Sequence, residues 1–209
     1  MKRWAIILIG LALVGAALFV FDRAIFDALL IDGVREKDWH QILRQLGDVR
    51  TWLVVSLLIY LMDRSSLSTL RPQQPRHHRA GLLLLSVFCS GLASEALKLV
   101  FRRLRPLETD AVYAFRPFTE GTFSSSGLSF PSGHTAVAFG ACFMIGLMYR
   151  PILWPMMLLG FGCGVSRINA GAHYPSDVWA AGVVASAIAL ILFKLSEGMH
   201  RPRTDADQT

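Results

Sequence analysis

Charge is scarce in this chain. Asp, Glu, Lys and Arg make up 17% of its 209 residues, whereas a soluble domain carries about a quarter. So few charges cannot cover a water-exposed surface, which excludes an ordinary soluble domain. Cysteine is nearly absent: Cys89, Cys142 and Cys163 each lie inside an apolar run. Their spacing fits neither a zinc pattern nor a disulfide framework, so they read as inert packing residues. No Asp/Glu cluster is suited to Mg²⁺ or a metal pair, so neither a metal nor another cofactor is expected. The net charge of +6 and pI near 9.7 raise nucleic acid as a partner. The basic residues sit beside apolar runs and not along a soluble face, so nucleic acid is not expected.

What is present is apolar sequence, 53% of the chain, with a mean hydropathy of +0.45. Six apolar segments, about 4–21, 48–62, 80–101, 133–149, 152–166 and 177–195, are separated by charged punctuation. They predict one all-α domain over residues 1–209, a polytopic membrane bundle of about six transmembrane helices. Several fall short of the roughly 20 residues a full crossing needs, and 48–62 is the weakest. The first segment follows Lys2 and Arg3 as in a signal peptide. Its apolar run exceeds a cleavable core, and Phe21-Asp22-Arg23 is a poor cleavage site, so an uncleaved first helix is expected.

Loop charge predicts the orientation. The arginine-rich 63–79 stretch, Lys2, Arg3, Arg150 and the 196–209 tail with Arg201 and Arg203 share one side. The positive-inside rule assigns that side to the cytoplasm. The 22–50 and 107–130 loops then lie on the non-cytoplasmic side. On this topology Lys98–Arg105, Ser132–His134, Arg167 and His173–Asp177 occupy four helix ends on one non-cytoplasmic face. Within 22–50, Trp39, Ile42, Leu43 and Leu46 recur at helical spacing. They predict an amphipathic helix that either lies in the membrane interface or caps the bundle. Tyr113, Phe115, Phe118, Phe123 and Phe130, set among Gly, Ser and Thr, make 107–130 a lid or a substrate-facing rim.

The chemistry sits in three short segments. In KLVFRRLRP, Lys98 is an ammonium at the edge of an apolar run and needs an interior partner. Arg102 and Arg105 follow on the same helical face if the helix persists, and Pro106 ends it. Arg102 and Arg103 read as interface residues that snorkel, whereas Lys98 and Arg105 read as phosphate ligands. Glu95 fits either a functional carboxylate or a salt-bridge partner of Lys98 or a nearby arginine, and stays outside the catalytic set. In PSGH, Ser132 is a candidate N-cap, and Gly133 lets an anion approach the amides of a helix start. His134 falls in that first turn, within reach of a bound phosphate ester. In SRINAGAHYPSD, Arg167 supplies a planar fork for phosphate oxygens. Pro175 suits the first turn of the last helix, which sets His173 just before it and Asp177 within it. Asp177 is expected to reach back to one imidazole nitrogen and fix the tautomer, leaving the other nitrogen to attack phosphorus. Lys98, Arg105 and Arg167 offer three positive charges to a phosphate monoester of charge near −2. That excess suits a transition state whose charge spreads over the equatorial oxygens.

These motifs, K-x6-R-P, PSGH and S-R-x5-H-x3-D in this order, resemble the signature of the type 2 phosphatidic acid phosphatase superfamily. The matched positions are Lys98, Arg105, Pro106, Pro131, Ser132, Gly133, His134, Ser166, Arg167, His173 and Asp177. The resemblance implies metal-independent hydrolysis of a lipid phosphate or diphosphate. His173 would form a phosphohistidine, His134 would protonate the leaving oxygen, and Lys98, Arg105, Arg167, Ser132 and Gly133 would hold the phosphoryl group. It also implies a multi-pass protein of a bacterial cytoplasmic (inner) membrane whose site faces the periplasm or exterior. The implied partners are the lipid phosphate substrate and the surrounding membrane lipids, with no obligate protein partner.

Three other activities share parts of this pattern. Soluble vanadium haloperoxidases resemble the same signature, but six apolar segments argue against them. A lipid phosphoryl transferase would use the same covalent intermediate. A non-catalytic lipid-phosphate binder or transporter needs the cations but not the His–Asp pair. The expected substrate class spans phosphatidylglycerophosphate, undecaprenyl diphosphate, phosphatidic acid and lipid A phosphates.

Overall fold

The computed structural model describes residues 2–64, 76–109, 111 and 113–198. Arg71, Arg201 and Arg203, three of the cations used to orient the chain, lie outside the described residues. The chain forms α1 (Lys2–Leu29), α2 (Asp38–Gln45), α3 (Val49–Arg64), α4 (Arg76–Phe101), α5 (Gly133–Met148), α6 (Leu153–Asn169) and α7 (Pro175–Gly198). Among the described residues there is no strand, only isolated bridges from Arg103 to Phe115 and from Leu104 to Leu128. Each apolar segment read from the sequence is therefore a helix, and the fold is all-α.

The bundle is built around α5, which packs against α4, α6 and α7. Its small residues allow this close approach. A Cβ added at Gly140 would lie 2.5 Å from Ser90 Oγ of α4, and Ser86 Oγ donates to the Gly140 carbonyl at 2.7 Å. The glycines of α6 serve the same bundle: Gly160 faces Phe139 and Gly164 faces Val178, with Leu43 of α2 on Gly162. Small residues thus bring the helix ends that carry the site within reach of one another.

Four helices are long and apolar enough to cross a membrane: Ala5–Leu29, His78–Phe101, Arg150–Asn169 and Pro175–Gly198. The α2–α3 pair, bent by 65°, makes a fifth if counted as one span, and α5 has 16 residues. A helix enclosed by protein need not match the bilayer thickness, which accounts for the shortness of α5.

Three loop assignments change. The helix expected to stop at Phe21 continues to Leu29, so the loop expected from residue 22 starts eight residues later. Asp22 is fully buried within α1, while Arg23 and Asp27 pair on its surface at 2.9 Å. Arg79 is not a loop charge: it lies in α4, buried, paired with Asp63 and donating to the Tyr149 hydroxyl. The amphipathic α2 has His40 rather than Trp39 or Ile42 as its buried residue. It packs on α6 and leaves Trp39 and Ile42 exposed, so it caps the bundle with an apolar edge facing outward.

Candidate active site

The site forms where four helix ends meet. Lys98 lies in the last turn of α4, buried, with Nζ 2.6 Å from Glu95 Oε1. Glu95 is therefore the partner that a buried ammonium requires. The helix persistence expected beyond Lys98 fails: α4 ends at Phe101, and Arg102 takes the left-handed conformation at φ 56°. That reversal sends the chain into an extended segment, where Arg105 (φ −73°, ψ 152°) precedes Pro106. Arg105 returns to the site from this segment and not along a helical face. Arg167 enters from the last turn of α6. The Nε atoms of Arg105 and Arg167 are both buried without a protein acceptor. Such donors are costly unless an anion meets them.

Ser132 occupies the N-cap of α5, but its hydroxyl makes no capping bond. Thr135 Oγ1 donates to it at 2.9 Å, and the Ser132 amide donates to the Asp177 carbonyl at 3.1 Å. The first-turn amides of α5, from Gly133 onward, have no acceptor within their own helix. A side chain at Gly133 would bring Cβ to 3.2 Å from both Lys98 Nζ and Glu95 Oε1. Glycine keeps this helix start open beside the ammonium, which is the geometry of an anion cradle. His134 follows in the same turn and is backed by the α2–α3 corner, where a Cβ at Gly47 would come within 2.5 Å of His134 Cβ.

His173 is buried in the short loop before α7. Its Nδ1 is 2.9 Å from the Ser129 carbonyl oxygen and 3.8 Å from Asp177 Oδ2. Nδ1 therefore donates to Ser129, and Nε2 keeps its lone pair. This corrects the expected tautomer lock: Ser129 holds the ring, and Asp177 stands beside it at ion-pair distance. Asp177 accepts instead from Ser129 Oγ at 2.6 Å, the Tyr174 amide at 2.7 Å and Arg103 Nη1 at 3.0 Å. Burial pushes the His173 imidazole down to about 4; Asp177 opposes that shift, and Arg167 and Lys98 add to it. Burial thus favours the neutral ring, in which Nε2 keeps its lone pair.

One cavity of about 450 Å³ is lined by Lys98, Arg105, Gly133, His134, Arg167 and His173 together with Glu95. It continues along an apolar wall of Val49 from α3, Val87, Phe88 and Leu92 from α4, and Val137 from α5. The chemistry predicted at four separate helix ends shares a single chamber. The family model described as the PAP2 superfamily matches residues 79–201. The chain belongs to the PAP2 superfamily.

Relatives of this PAP2 chain are named for phosphatase activities. It is 34% identical over 109 residues to the undecaprenyl-diphosphatase BcrC of Bacillus subtilis, covering 52% of this chain and 53% of that one. It is 27% identical over 188 residues to a lipid A 1-phosphatase of Rhizobium etli, covering 84% and 78%. The chain thus spans about half the length of the Bacillus relative. Its fold matches the crystal structure of a transmembrane PAP2-type phosphatidylglycerolphosphate phosphatase from Bacillus subtilis at a TM-score of 0.61. That match covers 93% of this chain and 98% of the other at 19% identity, and so concerns the fold.

Three residues of the PAP2 site escaped the sequence reading. Ser129 holds His173 through its carbonyl oxygen and Asp177 through its hydroxyl. A backbone acceptor leaves no trace in residue identity. Arg102 and Arg103, expected to snorkel, are each 1% exposed. Arg102 donates to the carbonyl oxygens of Arg116, Pro117, Glu120 and Thr122, which ties down residues 116–122 of the aromatic loop. Arg103 bridges Asp177 and Asp22. Residue pattern gave no signal for either arginine, because both follow the end of α4 at Phe101 and stand on no helical face.

Proposed function

We propose that this protein is a membrane phosphatase that hydrolyses a lipid phosphate or diphosphate through a phosphohistidine. The observation that carries the reading is the shared cavity, with a cationic end at His173 and an apolar wall between α3 and α4. The cationic end suits a phosphoryl group and the wall suits an acyl or prenyl chain. The names of the Bacillus and Rhizobium relatives support the same substrate class.

Lys98, Arg105 and Arg167, with Ser132 and the Gly133 amide, hold the phosphoryl oxygens. His173 Nε2 attacks phosphorus in line with the leaving oxygen; an N–P bond forms and the P–O bond breaks. His134 gives that oxygen its proton. Water, losing a proton to His134, then cleaves the N–P bond, releasing phosphate and restoring both histidines. Asp177 supports the positive charge that develops on His173. Among the described residues, no group of three His, Cys, Asp or Glu side chains stands together as a metal ligand set. No step of this reading uses a metal.

The chain is read as a bacterial inner-membrane protein whose site faces away from the cytoplasm. Exterior-facing cysteine labels introduced at Ser124 or Ser126 test that orientation. Function is tested by phosphate release in detergent with EDTA from phosphatidylglycerophosphate, undecaprenyl diphosphate, phosphatidic acid and a lipid A phosphate. Release from at least one, lost in His173→Ala and His134→Ala, is expected. Activity that survives in folded His173→Ala, or that EDTA abolishes, overturns the reading.

A further inference from the structure

Asp22 lies outside the matched 79–201 region, within a helix long and apolar enough to cross a membrane, and is fully buried. A carboxylate there carries a large desolvation cost and calls for a specific partner. Its Oδ2 accepts from Arg103 Nη2 at 2.9 Å, and its Oδ1 accepts from the Ser176 amide in the first turn of α7 at 2.8 Å. The other terminal nitrogen of Arg103, Nη1, donates to Ser176 Oγ at 2.8 Å and to Asp177 Oδ1 at 3.0 Å. The guanidinium is stacked 4.1 Å from the Tyr174 ring, with Phe19 and Tyr113 each at 5.4 Å. A planar fork fits this slot, and the compact ammonium of a lysine would not bridge both carboxylates.

The charges in this chain of contacts do not cancel. Two buried carboxylates share one guanidinium, leaving one negative charge beside His173. A purely structural tie between α1 and α7 would be complete with one carboxylate and one arginine. We propose that Asp22 and Arg103 are positioning residues for the nucleophile: by drawing half of the Arg103 fork away from Asp177, Asp22 keeps that carboxylate negative toward His173. This rests on His173 being the nucleophile, as proposed above. The imidazole becomes positively charged as its N–P bond forms, and an under-neutralised Asp177 stabilises that change. The first helix then takes part in setting the reactivity of a ring it does not touch.

The groups facing His173 are Glu95 and Lys98 on α4, Arg105 in the extended segment that follows it, His134 on α5, Arg167 on α6 and Asp177 on α7. None of these is altered by the test variants. In Asp22→Asn the full Arg103 charge falls on Asp177. Turnover then drops roughly tenfold, KM stays within about twofold, and the acid limb of kcat/KM moves to lower pH by about half a unit. In Asp22→Asn/Arg103→Gln both the excess carboxylate and the cation are gone, and Asp177 again faces His173 uncompensated. The limb then returns to the wild-type position or above it.

Substrate ionisation is common to all variants and drops out of the comparison. The limb position also does not depend on how much protein folds. Asp22→Glu keeps the charge and is expected to keep the wild-type limb at reduced turnover; a limb lowered in Asp22→Glu as far as in Asp22→Asn would trace the shift to geometry and not to charge, and overturns the proposal. Limbs that coincide in all variants, or a double variant shifted further down than Asp22→Asn, overturn the proposal. If His173→Ala remains active, the nucleophile assignment fails first; if it is inactive and the limbs coincide, only the role of Asp22 and Arg103 fails.

Discussion

The carbonyl oxygen of Ser129 takes the Nδ1 hydrogen bond of His173 at 2.9 Å, while the Asp177 carboxylate stands 3.8 Å away. Ser129 therefore orients the ring, and Asp177, proposed above to support its developing charge, is linked to Ser129 through the serine Oγ.

Asp177→Asn is accordingly expected to lower kcat by roughly 10²-fold, less than the ~10⁴-fold that follows loss of a tautomer-fixing carboxylate. Ser129→Ala keeps the carbonyl and loses only the hydroxyl contact to Asp177, so a loss of about tenfold is expected. Steady-state kinetics on a single lipid phosphate in detergent compare the two. A 10⁴-fold loss in Asp177→Asn with normal folding would return the tautomer role to the carboxylate.

Burial lowers the His173 imidazole to about 4. In the proposed mechanism its neutral form attacks phosphorus, and protonation removes the attacking lone pair. Activity is therefore present above the folded-state value and is lost as pH falls through it. With substrate ionisation subtracted, kcat/KM is expected to hold its plateau below pH 6.5, the ordinary histidine value, and to decline only toward about 4. A limb centred near 6.5 would show a solvated nucleophile.

Gly47 supports His134 from the α2–α3 corner. Because an added Cβ would sit 2.8 Å from His134 Cα, Gly47→Ala must shift either the corner or the histidine. A displacement of about 1 Å at a catalytic group costs roughly 10²-fold in turnover. The same change made in His134→Ala is expected to add little, since the displaced group is already gone. Additive losses in the double variant would mean that the corner acts elsewhere.

Arg102 combines a left-handed backbone at φ 56° with hydrogen bonds to the rim. Arg102→Gly removes the bonds but eases the backbone, whereas Arg102→Ala removes the bonds and retains about 1 kcal/mol of backbone cost. Limited proteolysis between residues 113 and 124 is expected to accelerate in both variants, with thermal stability lower in alanine than in glycine. Unchanged cleavage in both would show that the rim holds itself.

The helices were legible because apolar run length dictates them, and the site residues because phosphate chemistry demands cations and histidines at helix ends. Lys98, Gly133, His134, Arg167 and His173 all reach the cavity expected of them. Two kinds of feature stayed hidden. Where a chain reverses is set by one backbone torsion: Arg102 in the left-handed region ended the helix that would have carried Arg105. Which distant charges meet is set by packing: Asp22 and Arg103, 81 positions apart, look like an interface carboxylate and a snorkelling arginine until α1 docks on α7.

The division of the cavity carries a consequence for how such an enzyme can diversify. Every charged side chain and histidine lining the phosphoryl end belongs to α4 or later, and the apolar wall adds Val49 from α3 to Val87, Phe88 and Leu92. With the lipid substrate proposed above, exchanges at Val49, Phe88 or Leu92 would retune the accepted chain length while leaving Lys98, Arg105, Arg167 and both histidines untouched. Selectivity for the tail and competence toward the headgroup can then drift along separate paths, as a tool with a fixed blade accepts interchangeable handles.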